Sequence, residues 1–319
     1  MKRILLALLL LLPVSASAQF NGCSAGFCAP LSSVVASYTG PCDISGVTCI
    51  AYYAVSGCAQ AAYSGNVVDV VDAATGTTTG TRLQCSAGVV SALVSASACT
   101  FVTGNACSPL ATTCAVSCTF STIYNQLGTG SLPNLTVPST LADRATITLS
   151  ALNSKPCLFS NSASVPSAAP SSTTSVASPF TLIAVAERNA GFTTNGRIIS
   201  TGTGTVNIGY RSTANTVGSE GGTITATASD SVFHGLMLVH NSASSFIVVD
   251  GSPSTTGTLA AAWSATQGPI LMSDNATGSG AAMQGYLCES IVTSNALGST
   301  AYIALNTNFR NTNRWGNSF

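Results

Sequence analysis

Charge is what this sequence has least of. Of 319 residues only 10 are Lys or Arg and 10 are Asp or Glu, 6% in all, against about 25% in an ordinary globular domain. So few charges exclude a charged disordered tail, a salt-bridged coiled coil and a basic nucleic-acid surface. Beyond the first dozen residues no run is long and apolar enough to span a bilayer, which takes about 20 residues. There is no Cys-x-x-Cys pair and no Cys/His cluster. The two histidines, His234 and His240, have no carboxylate spaced to join them, so neither a metal site nor a cofactor is expected. A Ser-His-Asp hydrolase would need a Gly-x-Ser-x-Gly elbow, which is missing, and no repeat period marks a solenoid.

What is present begins with an export signal. Lys2 and Arg3 precede the apolar run Ile4–Leu12, and Ser15-Ala16-Ser17-Ala18 offers small residues for cleavage before Gln19. Residues 1–18 are read as a signal peptide, 19–39 as a leader held by a Cys23–Cys28 loop, and 40–319 as one folded domain. Losing Lys2 and Arg3 leaves eight basic against ten acidic groups, a net charge of −2, which disfavours nucleic acid and other polyanions as partners. The expected location is extracellular or periplasmic, with no membrane attachment after cleavage and a monomeric state. All 12 cysteines follow the signal, ten of them before residue 120. An even number in an exported chain implies structural disulfides.

From Ile50 to Tyr63 the sequence predicts a short helix. Ile50, Ala54, Val55, Cys58 and Ala62 recur at helical spacing, and Ser64-Gly65 supplies a stop. The remainder reads as β. Short runs rich in β-branched and aromatic residues, bounded by Gly, Ser, Asn and Asp, lie at 67–71, 119–124, 145–152, 180–186, 197–200, 205–210, 223–227, 235–240, 245–250, 269–272 and 285–293. Strands in series without intervening helices make an all-β, two-sheet antiparallel sandwich rather than a βαβ sheet. Ser299–Asn306 is expected to be a short closing helix with Ser299 as its N-cap. The Ser/Pro/Ala-rich stretch 160–179 is read as a surface connection inside one sandwich, because each half alone has too few strands to close a core.

Two sets of motifs carry a family resemblance. Gly40-Pro41-Cys42-Asp43-Ile44, with Cys49 seven residues after Cys42, is followed by Ala62-Tyr63-Ser64-Gly65. Cys114-x-x-x-Cys118 then leads into Ile123-Tyr124-Asn125-Gln126-Leu127-Gly128-Thr129-Gly130. Further on, Ser273-Asp274-Asn275 precedes Met283-Gln284-Gly285-Tyr286-Leu287-Cys288-Glu289. Over roughly residues 40–130 and 230–295 the chain resembles the catalytic domain of α-L-arabinofuranosidase B, family 54 of the glycoside hydrolases. The second set is shared more widely among laminin-G-like and concanavalin-like sandwiches.

The resemblance implies a two-sheet jelly roll of the concanavalin-like type and small-loop disulfides Cys42–Cys49 and Cys114–Cys118. It also implies retaining hydrolysis of terminal arabinofuranosyl groups from arabinoxylan or arabinan, which takes two carboxylates about 5–5.5 Å apart. The family's acid/base aspartate maps onto Asp274, with Ser273 in place of the family's glycine. The strand holding the family's nucleophile corresponds to Gly222–Ala228, which has no carboxylate; Glu220 and Asp230 flank it, and Glu220 is the nucleophile candidate. Asn275 beside the acid and the rings of Tyr210, Trp263, Tyr124 and Phe233 are candidates for holding a sugar. Glu289 is expected to be an ion-paired strand residue, and the two histidines to be hydrogen-bonded within a strand. Two other classes fit the same sequence: a non-catalytic lectin-like or adhesion module, and a structural surface protein.

Overall fold

The computed structural model describes residues 38–72, 78–86, 88–91, 118–128, 132–137, 144–153, 155–161, 169–170, 175–192, 194–201, 206–219, 224–259, 263, 268–273, 282–312 and 314–316. The strands in chain order are β1 (Cys49–Ala54), β2 (Gly65–Asp72), β3 (Thr78–Ser86), β4 (Val89–Ser91), β5 (Cys118–Ile123), β6 (Leu135–Thr136), β7 (Thr146–Leu152), β8 (Lys155–Ser160), β9 (Ala169–Pro170), β10 (Phe180–Arg188), β11 (Gly196–Ser200), β12 (Asn207–Tyr210), β13 (Thr216–Gly218), β14 (Thr225–Thr227), β15 (His234–His240), β16 (Phe246–Val249), β17 (Ser252–Pro253), β18 (Ile270–Leu271) and β19 (Gly285–Thr293). One helix, α1 (Ser299–Phe309), follows them.

The strands form two antiparallel sheets. The larger runs β17-β16-β15-β10-β19-β8-β7-β5-β2-β3-β4, with β1 added to β19, β6 to β5 and β9 to β6. The smaller runs β14-β13-β12-β11-β18. Side-chain alternation along β10 shows how they stack. Leu182, Ala184 and Ala186 point into the core between the sheets, where Leu236 and Leu238 meet Ile199, Ile208, Val217 and Leu271 of the smaller sheet. Ile183 and Val185 point the other way, into a second core closed by Leu305 and Phe309 of α1 and by Trp315. The large sheet is thus buried on both faces, which is why β10 and β19 read as continuous apolar runs.

All eleven runs expected as strands are strands, with ends moved by a few residues, and the two-sheet sandwich forms as expected. The helix expected over Ile50–Tyr63 does not. Its first half is β1, paired along β19 with Tyr52 opposite Ile291 and Tyr53 opposite Ser290. Tyr52 lies in the second core and Tyr53 in the first. A strand buried on both faces has no polar alternation, and its small apolar residues imitate a helical stripe; pairing with a central strand decides the outcome. The closing helix exists, but Gly298 rather than Ser299 occupies its N-cap (φ −76°, ψ 167°), and it continues past Asn306 to Phe309.

Three disulfides lie among the described residues: Cys42–Cys49, as the resemblance implied, Cys58–Cys85 and Cys157–Cys288. They fit an oxidising compartment. Cys23, Cys28, Cys114 and the signal segment lie outside the described residues, and with them the Cys23–Cys28 and Cys114–Cys118 pairings. No described helix is long and apolar enough to cross a membrane.

Candidate functional site

Gly40, Asp43, Asn125 and Gln126 of the first motif set hold the architecture around β1. Gly40 sits so close to the backbone of Ala59 and Gln60 that a Cβ there would come within 2.2 Å of the Ala59 carbonyl oxygen. Cys42 N–H donates to that same oxygen (3.0 Å), and the Asp43 carboxylate accepts from Gly40 N–H (2.8 Å) and Ala61 N–H (2.7 Å). Asn125 accepts from Tyr52 N–H (3.2 Å) and donates to the carbonyls of Ile50 and Leu132. Gln126 accepts from Ala59 N–H (2.8 Å) and donates to Gly57 O (2.9 Å). These side chains satisfy backbone groups of the turns around β1 that no sheet partner reaches.

The expected acid/base pair is approached through the smaller sheet. β18 pairs with β11, β11 with β12 and β12 with β13, all antiparallel. β13 and β18 therefore run in opposite directions with two strands between them, roughly 14 Å across at one strand spacing per step. Ser219 follows β13 toward the end marked by the Ser200–Asn207 pair. Ser273 follows β18 toward the opposite end, marked by Gly196–Tyr210. Glu220, Asp274 and Asn275, which come just after these two serines, lie outside the described residues.

Tyr210 and Trp263, expected to stack on sugar, are core residues instead, 0% and 4% exposed. Tyr210 faces the inter-sheet core, its hydroxyl donates to Ala186 O (3.3 Å), and the Arg188 guanidinium lies 5.0 Å from its ring centre. Trp263 packs edge-on against Phe180 with centroids 5.4 Å apart. Neither presents a ring face to solvent. Tyr124 is partly exposed, but its hydroxyl is committed to Asp69 (2.6 Å) beside Arg82.

The described carboxylates are nearly all engaged. Asp69 pairs with Arg82, and Asp230 with Arg188 at 2.6 Å. Arg188 also donates to the carbonyls of Arg211 and Thr213, pinning the loop before β13 to the end of β10. Asp250 lies 2.6 Å from His234 Nδ1 and accepts from Gly235 N–H (2.8 Å), while His234 Nε2 faces Ser229 O at 3.1 Å. His240 stacks on Phe180 and meets the Ser178 hydroxyl at 3.1 Å. Both histidines are hydrogen-bonded strand residues, as expected. A carboxylate does join one of them, contrary to the expectation from spacing: Asp250 reaches His234 across the β15–β16 hairpin, where Gly235 and Asp250 face each other. The Asp250-Gly251 dipeptide, with φ of 52° and 84°, makes the tight turn into β17. That was the signal available in the sequence, because Asp-Gly is a strong hairpin marker. Glu289 is ion-paired, with Arg314. No group of three or more potential metal ligands occurs among the described residues.

Glu187 is the exception. Its half-buried carboxyl makes no hydrogen bond or ion pair among the described residues; burial pushes its pKa up, and nearby His234 pulls it partly back. A carboxyl whose pKa is higher in the folded than in the unfolded state favours folding at low pH. That contribution is lost as pH rises from the unfolded value through the folded one. Glu187→Gln is therefore expected to raise Tm at about pH 7 and to leave it unchanged at about pH 3. Equal shifts at the two pH values would show that Glu187 titration is not responsible.

No protein-family model matches the sequence, and no curated protein matches it. Solved structures do. An α-L-arabinofuranosidase of glycoside hydrolase family 54, soaked with a cyclic sulfate inhibitor, aligns over 85% of this chain and 64% of its own, with TM-score 0.59 and 17% identity. A mutant of such an enzyme soaked with 4-nitrophenyl α-L-arabinofuranoside gives TM-score 0.58 at 17% identity, over 85% and 64% of the two chains. An arabinofuranosidase complexed with arabinofuranosyl-α-1,2-xylobiose gives 0.56 at 17% identity, with the same coverage. This chain has the fold of those enzymes and spans 64% of their length.

Proposed function

We propose that the protein is an exported glycan-directed hydrolase that removes terminal arabinofuranosyl groups from arabinoxylan or arabinan, with Asp274 as its acid/base. The observation carrying this reading is the sandwich shared over 85% of the chain with arabinofuranosidases. The Gly40–Ile44 opening and its closed Cys42–Cys49 loop support it. The scarcity of charge suits a neutral polysaccharide. Glu220 is the nucleophile proposed with Asp274, because β14, within the segment corresponding to the family's nucleophile strand, holds only Thr225, Ala226 and Thr227.

Turnover of 4-nitrophenyl α-L-arabinofuranoside above the buffer rate is the expected result, and its absence removes the hydrolase reading. Asp274→Asn is expected to lower kcat/KM by at least about 100-fold, the scale on which a general acid contributes. An unaffected variant clears Asp274 of the role. A second reading, a glycan-binding module without turnover, is favoured by one observation: β13 and β18 leave their sheet at opposite ends. Retention on arabinoxylan with no release of arabinose identifies that case.

A further inference from the structure

Four neighbouring strands of the large sheet each contribute one residue to a single transverse row. Phe159 of β8 pairs with Tyr286 of β19, and Tyr286 pairs with Glu187 of β10. Ala186 faces His234 across β10 and β15, which sets Phe233, just before β15, beside Glu187. The three rings touch in sequence: Phe159 and Tyr286 have centroids 4.6 Å apart at 36°, and Tyr286 and Phe233 5.6 Å apart at 45°. Phe159, Tyr286 and Glu187 are partly exposed, and Val232, next along the chain from Phe233, is 36% exposed. Phe233 and Tyr286 pack on the second core. The row therefore lies on the face of the large sheet turned away from the smaller sheet and from the strand ends at Ser219 and Ser273.

The chemistry of the row selects its occupant. Ring faces attract the C–H side of a sugar, and a carboxylate with no hydrogen bond among the described residues accepts from sugar hydroxyls. Arg188 is engaged by Asp230 and His234 by Asp250, and the row itself holds a carboxylate and no basic side chain, which disfavours an anionic ligand. The tilts between rings suit a twisting soluble chain rather than the flat surface of a crystalline one. Four strands span roughly 14 Å, enough for several linked sugars.

We propose that Phe159, Tyr286 and Glu187, backed by the buried ring of Phe233, form a surface subsite for a neutral polysaccharide chain. The ligand class rests on the glycan-directed reading above; catalysis by Asp274 is not required. Native electrophoresis of the full protein through gels containing soluble arabinoxylan, with polygalacturonate as the anionic control, tests it. The wild type is expected to be retarded by arabinoxylan and not by polygalacturonate. Tyr286→Ala is expected to weaken retardation at least about tenfold in apparent Kd, with the loss of a stacking aromatic face, and Glu187→Gln several-fold. Glu187→Gln keeps the side-chain size, so it serves where truncation of Tyr286 unfolds the chain. Turnover of the small chromogenic arabinofuranoside is expected to be unchanged in both variants. Retardation that both variants retain, equal retardation by polygalacturonate, or no retardation of the wild type overturns the subsite. Turnover without retardation defeats this proposal alone, and retardation without turnover defeats only the hydrolase.

Discussion

Arg314→Met is expected to lower the unfolding free energy by about 3–5 kcal/mol, the cost of leaving a buried carboxylate without its partner. The partner is Glu289, in the middle of β19. Their side chains are 4% and 0% exposed. One Glu289 oxygen accepts from both Arg314 and Trp315 Nε1, the latter at 2.6 Å. Arg314 also donates to the Tyr38 hydroxyl (3.0 Å), which donates onward to Cys58 O (2.6 Å). Burial alone would pull the pKa of Arg314 down, but Glu289 beside it holds it above its ordinary value. The charge is thus kept inside the protein because its counter-charge is there. Urea unfolding measures the effect, and a loss below about 1 kcal/mol would class the pair with surface ion pairs. The double variant Glu289→Gln/Arg314→Met should lose less than the two single losses combined, since no lone charge then stays buried.

The disulfide between Cys157 and Cys288 gives the second large effect. It closes a sequence separation of 131 residues, against 7 for Cys42–Cys49. Chain-entropy arguments assign about 5 kcal/mol to the long loop and about 2.4 kcal/mol to the short one. Cys157→Ala/Cys288→Ala is therefore expected to lower stability roughly twice as much as Cys42→Ala/Cys49→Ala in the same unfolding measurement. Equal losses would mean that residual structure in the unfolded chain, rather than loop length, sets the contributions.

The fold was legible where strands follow the usual chemistry. β10 and β19 are long, apolar and rich in β-branched residues, and β15 is a long apolar run of Leu, Met and Val. β1 was misread because both its faces are buried, which erases the alternation that distinguishes strand from helix. β6, β9 and β17 are two residues long, too short to leave a pattern. The site was less legible. Ion pairs such as Arg188–Asp230 join residues 42 apart in sequence and depend on which strands become neighbours. The polar ends of Tyr210 and Trp263 disguised core positions as surface ones. The Glu187 row becomes visible only once β8, β19, β10 and β15 are known to lie side by side.

The position of β19 has a consequence for how the molecule assembles. On one edge it pairs with β10; on the other it pairs with β8 near Gly285–Leu287 and with β1 near Glu289–Thr293. A later segment is therefore inserted between three that were synthesised before it. Until the ribosome has passed residue 293, the edges of β1, β8 and β10 wait unpaired and Cys157 has no Cys288 to meet. Such distant pairings make folding slow, and they delay completion of the sheet until Thr293 has been made. A chain held open that long stays threadable, which is the state that the export proposed above would require.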